Sequence, residues 1–467
     1  MSRPALCDAT LDGADAACAH RSDGVRGERR GRGATASRPA VSAGAAGAPS
    51  APTTAVRYWY LAGVASWFIP QGMLSVLVPW IIGEHLQLGA GRYFGFAYTV
   101  FTLPTVLLVL VGGLAVDRFD ARRILIIVQT GLGLLALAVM GISAGGWLSY
   151  PVLLGYLLAV GVSSAFVRPA RDWLLTPVAG SRVQPLVTAA TAVQFGVQIA
   201  GFSIAAAVEL LGIAPMFAAM GTVLLFGALG TARLPVSRVT GDEPAPYAEG
   251  SRRADTIAAV LNEPIRALRA APGLTPVMLI NLVVGVCYTG AYFVIVPSLI
   301  LGFEGTGAGE LSAANVAFMS GTLVATFVLP RTGGLVGRHV SSMLAALVVN
   351  GIALATICLA NSMVWVIAGM LVWGMGTGVA IVLGRTIVQE RAPVSLRARL
   401  LALYTLTFLS GTPLGSLLMG LLAERFGAPA AGIGAAGLTV GVLLVLGLAT
   451  DLARADAFVP PGEDRED

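Results

Sequence analysis

Twelve runs of about twenty predominantly apolar residues constrain this chain more than any other feature, because roughly 20 residues of α-helix cross a hydrocarbon core about 30 Å thick. The runs lie near 57–82, 93–115, 124–143, 147–167, 186–208 and 213–232, and again near 274–301, 311–330, 341–360, 363–384, 399–422 and 429–450. In lipid every backbone amide needs an internal partner, which leaves helices as the structure for runs of this length. The expected fold is all-α and membrane-integral, with twelve spans in two pseudo-symmetric six-helix bundles. Composition agrees, since 12% of residues are charged against roughly 25% in an ordinary soluble domain.

The rest of the chain divides accordingly. Residues 1–56 are polar and small and read as a disordered tail. A first bundle is expected over 57–233, a central loop over 234–273, a second bundle over 274–451 and a short tail over 452–467. Within the loop, Ile257, Leu261, Ile265 and Leu268 recur at helical spacing among arginines. That pattern fits an amphipathic helix on the membrane surface, and a simple tether fits equally.

All 30 basic residues apart from histidine are arginine, and they sort by side. Arg118, Arg122, Arg123, Arg168, Arg171, Arg182, Arg233, Arg238, Arg331, Arg338, Arg385, Arg391, Arg397 and Arg399 fall with the tail and the loops after even-numbered spans, whereas only Arg92 and Arg425 fall opposite. The positive-inside rule then puts both termini in the cytoplasm, and the expected location is a bacterial inner membrane. The halves also repeat one another. VLVPWIIG from Val76 returns as VIVPSLILG from Val294, and GGL at Gly112 returns at Gly333, the signature of two parallel repeats.

Several function classes lose their footing. The arginines form no basic stripe with interleaved aromatics, so a nucleic-acid partner is not expected. Cys7, Cys18, Cys287 and Cys358 make neither a disulfide framework nor a metal spacing. With His20, His85 and His339 far apart, no imidazole site, metal or cofactor is expected, and no constellation for an enzyme is visible.

One segment is specific. GGLAVDRFDARRIL from Gly112 to Leu125 closes span 2 and resembles the signature loop of the major facilitator superfamily. The matching positions are Gly113, Asp117, Arg118, Arg122 and Arg123, with Asp120 where the family has a second glycine. Glycine permits close helix approach, and Asp117 can face the positive N-terminus of span 11, which Ser395 would cap. RPARDWLLTP from Arg168, QERAPVSLRARL from Gln389 and GTPLGSLLMG from Gly411 resemble the enterobactin-exporter and macrolide-efflux branch of that superfamily. The resemblance covers residues 57–450 and implies a proton gradient as energy source. Three positions depart from it: Gly201-Phe202 in span 5, Gly337 before Arg338 in the second-half loop, and Gln71-Gly72 in span 1. No carboxylate sits at mid-span, since Glu209 is near a span end and Asp172 and Glu390 lie at the cytoplasmic rim.

Candidate site residues form two groups. Trp67, Gln71 and Ser75 share a face of span 1; Thr191, Gln194 and Gln198 of span 5; Asn281, Tyr288 and Tyr292 of span 7; and Trp373 and Thr377 of span 10. They would line a cavity for a bulky, hydrogen-bonding cargo or glue helices together. Arg168, Arg171, Arg385 and Arg399, with Asp172 and Glu390, would contact an anionic ligand or form a cytoplasmic gate; their place at span ends favours the gate. The expected protein is a monomeric exporter of a small organic molecule, with a siderophore favoured. A multidrug or macrolide efflux pump comes second and an importer third.

Overall fold

The computed structural model describes residues 54–180, 182–234, 266, 268–332 and 338–449. The expected tails, up to 53 and over 452–467, lie outside the described residues, as does the central loop from 235 to 265.

The twelve apolar runs are helices: α1 Thr54–His85, α2 Ala90–Arg118, α3 Ala121–Ala144, α4 Tyr150–Ala179, α5 Val183–Leu211, α6 Ile213–Thr231, α7 Pro272–Ile300, α8 Ala308–Thr332, α9 His339–Cys358, α10 Met363–Arg391, α11 Arg397–Phe426 and α12 Ala428–Ala449. No strand occurs among the described residues. Two boundaries need correction. The segments after 167 and after 384, expected as loops, remain helical to Ala179 and Arg391. Each helix is therefore about 45 Å long at 1.5 Å per residue, so its last turns stand clear of a 30 Å core, where arginines are compatible with a helix.

The pairing of helices repeats between halves. In the first, α2 packs on α4, α1 on α5, α3 on α6 and α3 on α4; in the second, α8 packs on α10, α7 on α11, α9 on α12 and α9 on α10. The contacts repeat in detail too. A Cβ on Gly161 of α4 would strike the Phe101 carbonyl of α2, and one on Gly374 of α10 would strike the Phe318 carbonyl of α8. Beside each glycine a threonine crosses the seam: Thr105 donates to the Gly161 carbonyl at 2.8 Å, and Thr322 donates to that of Gly374 at 3.1 Å. Small residues and hydroxyls hold helices together where hydrophobic exclusion offers little, because lipid is as apolar as the side chains.

Odd-numbered helices run from the arginine-rich end, where α1 begins, to the opposite end. The halves meet chiefly where α2 packs on α11 and α5 on α8. The α2–α11 seam is tight toward the opposite end, where a Cβ on Gly91 would lie 2.9 Å from the Glu424 nitrogen and one on Gly95 2.6 Å from the Ser416 carbonyl.

Candidate functional site

The signature segment turns the chain between α2 and α3. Asp120, which stands where the family has glycine, accepts a hydrogen bond from the Arg122 amide at 2.9 Å and caps α3, a contact worth about 1 kcal/mol. The Arg122 guanidinium donates to the Ala232 carbonyl and ties this turn to the end of α6. Arg118 and Arg123 are exposed. Close helix approach belongs to Gly112, whose Cβ would strike the Ala165 carbonyl of α4; a Cβ on Gly113 would meet open space. Asp117 is exposed and makes no hydrogen bond or ion pair with any described residue.

The charged residues expected at a gate separate into two sets. Arg171 turns into its own half: its guanidinium lies 4.7 Å over the Phe68 ring and its carbonyl accepts from the Tyr60 hydroxyl at 3.3 Å. It lines a narrow crevice of about 10 Å³ with Tyr60, Trp67, Gln129 and Thr231, room for a water molecule and not for a cargo. Glu390 pairs with His339 Nδ1 at 2.9 Å, so its partner in this conformation lies in its own half. Arg168 and Asp172 on α4 and Arg385 on α10 are exposed and interact electrostatically across the halves. None of the three makes an ion pair or hydrogen bond with a described residue. Arg399 lies in the first turn of α11.

The polar residues of the spans divide by half. In the second half their bonds go to neighbouring helices. Asn281 donates to the Tyr404 carbonyl at 2.6 Å and to Thr407 at 3.2 Å, and the Tyr288 hydroxyl donates to the Leu347 carbonyl at 2.8 Å. Tyr292 bonds Asn315, and Thr377 receives Asn350 at 3.3 Å while donating to the Trp373 carbonyl at 2.9 Å. Trp373 is buried with Tyr288, Tyr292 and Phe318 in one aromatic cluster. In the first half Trp67 is buried and Ser75 bonds back to the Gln71 carbonyl at 3.1 Å. The Gln71, Gln194 and Gln198 amides are half-buried and bond no described residue. They belong to α1 and α5, whose backbones touch where a Cβ on Gly72 would strike the Gln198 carbonyl and one on Gly201 the Ile69 carbonyl.

Sequence reasoning missed the residues that join the halves at the opposite end. Arg92 pairs with Glu424 at 3.3 Å, Thr99 donates to the Pro413 carbonyl at 3.1 Å, and the rings of Tyr98 and Phe293 stack at 4.5 Å. The available signal was glycine spacing, with Gly91 and Gly95 four residues apart on α2 and both facing Gly420 on α11. Gly411 and Gly415 of α11 instead face α7, where a Cβ on Gly411 would lie 2.7 Å from the Leu282 carbonyl.

Two repeated six-helix bundles, joined at one end and bearing unjoined charges at the other, define a transporter architecture. The sequence matches the Major Facilitator Superfamily over residues 60–314 and 277–465, and the chain belongs to that family. No curated protein matches significantly. Among solved structures, the nucleoside transporter NupG aligns with a TM-score of 0.68 at 12% identity, covering 84% of this chain and 98% of that one. A POT family transporter in complex with 5-aminolevulinic acid aligns at 0.66 and 11% identity, covering 86% and 96%. An auto inhibited POT family peptide transporter aligns at 0.62 and 15% identity, covering 88% and 98%. At these identities the likeness establishes the fold.

Proposed function

We propose that this major facilitator transporter exports a small organic molecule, with a siderophore as the favoured cargo, by alternating access across a bacterial inner membrane. The observation that carries alternating access is the asymmetry between ends. The halves interlock through Arg92–Glu424, Thr99–Pro413 and the Gly91–Gly95 seam at one end, while Asp117, Arg168, Asp172 and Arg385 at the other make no hydrogen bond or ion pair with a described residue. With the termini cytoplasmic, as the arginine asymmetry favours, this conformation faces inward and receives cargo from the cytoplasm. The Asp117, Asp172 and Arg385 contacts then belong to the outward-facing state, in which the arginine-rich ends close. The half-buried Gln71, Gln194 and Gln198 amides supply hydrogen-bonding groups to a cargo, and a proton gradient supplies the energy.

Support for export and for a siderophore is the resemblance of the Arg168, Gln389 and Gly411 segments to the exporter branch; the same segments support macrolide or multidrug efflux as the second reading. Deleting the gene in an iron-starved cell separates them. Siderophore export predicts that cellular siderophore rises and secreted siderophore falls while synthesis continues. Efflux of drugs predicts unchanged secretion and increased sensitivity to macrolides. If neither changes, export is wrong and uptake assays take precedence.

A further inference from the structure

Glu209 lies on the last turn of α5, at Val208–Leu211, after a break at Ala206 and Ala207. Its Oε1 accepts a hydrogen bond from the Ala308 amide at 2.5 Å. Ala308 opens α8 in the other half. The first amides of a helix have no partner within it, and Ala308 is fully buried, so water does not serve this one. The preceding amide, of Gly307, is taken by Glu310 Oε2 at 2.8 Å from within α8 itself. One half thus caps its own helix once and receives its second cap from the other half.

We propose that Glu209 is the latch that holds the transporter shut at the opposite end. This rests on the alternating-access reading. Opening that end carries α5 away from α8, breaks a charge-assisted bond to a helix N-terminus and frees the Ala308 amide to water. The Arg92–Glu424 pair spans the same interface, but both its side chains are exposed, at 59% and 46%, and exposed pairs contribute little; Glu209 is exposed too, but its bond goes to the amide of the fully buried Ala308. Glu209 acts on an amide that is buried only while the end is closed, so its bond weighs directly on the closed state. The fit is also selective for glycine on the facing loop: a Cβ on Gly307 would collide with Glu209 Oε1. The atom struck is the far end of a flexible side chain, so an added methyl displaces the carboxylate and leaves the backbone in place.

The test is reciprocal distance measurement by pulsed electron paramagnetic resonance in liposomes, with and without an imposed proton gradient. One spin-label pair sits at Trp147 and Leu359, exposed at the opposite end; the second sits at Phe119 and Val394, exposed at the arginine-rich end. Glu209→Gln, which removes the charge, and Gly307→Ala, which displaces the carboxylate from the other half, should each raise the ratio of opposite-end-open to closed molecules about tenfold. The first distance lengthens as the second shortens. Arg92→Gln should shift the ratio less than twofold, and Glu209→Gln added to Gly307→Ala should add little. Distributions unchanged by Glu209→Gln and Gly307→Ala, in a chain whose wild type does exchange, would overturn the latch and leave alternating access standing. A wild type whose two distances never move in opposite senses would overturn alternating access and the latch with it.

Discussion

Replacing Gly95 by alanine should shift the conformational balance without unfolding the protein. The new Cβ would lie 2.6 Å from the Ser416 carbonyl oxygen and 2.9 Å from the Gly420 Cα, whereas ordinary contact begins at 3.4 Å. The α2–α11 seam must therefore open by about 0.8 Å, the difference between 3.4 and 2.6 Å, and no rotamer can relieve it because both obstacles are backbone. Overpacking of this kind costs about 1–3 kcal/mol. Alanine's better helix propensity acts on α2 in both conformations and cancels from their balance. The penalty of about 1–3 kcal/mol falls on the conformation in which the seam is closed, a shift of roughly 5-fold or more toward opening. Thr99 reports it, since its hydroxyl bonds the Pro413 carbonyl across the same seam. In a chain whose native cysteines are replaced, Thr99→Cys should react with a membrane-impermeant thiol reagent from the opposite side at least about 5-fold faster when Gly95→Ala is added. Unchanged labelling, or a lowered melting temperature with no gain in labelling, would refute the reasoning by showing that the seam stays closed throughout the cycle.

Asp117→Asn should leave abundance near normal but lower transport several-fold and favour the conformation seen here, because the charge lacks a partner in this state and a helix N-terminus contact in the other is worth about 0.3–1 kcal/mol; wild-type transport by the variant would sink this. Gln71→Leu should change apparent affinity or cargo preference with little effect on melting, whereas Tyr288→Phe should cost about 0.5–1.5 kcal/mol of stability by abandoning the Leu347 carbonyl. Equal melting temperatures for wild type and Tyr288→Phe would contradict the second half of that contrast. Reporter fusions at Gly145 and Gly305, both in turns at the opposite end, should report the periplasm and one at Gly241 the cytoplasm. A periplasmic signal at Gly241 would invert the orientation.

The spans, their number and their grouping in two repeats were legible in the sequence because hydropathy and turn chemistry act locally, within about 20 residues of helix. Val76 and Val294 begin matching segments whatever the helices later touch. The helical ends of α4 and α10 were less legible: arginine stops an apolar run, but it does not stop a helix that has already left the lipid. What only tertiary structure decided is which polar groups find partners. Tyr288 and Gln71 looked alike as polar side chains in the first helices of their halves, yet the phenol reaches a carbonyl 59 residues away while the amide bonds no described residue. Glu209 read as an acid near a span end, and its importance comes from an amide 99 residues further on. Such bonds depend on how close two backbones come. That distance is set by glycines on facing helices, so it is a property of the pair and not of either sequence segment alone.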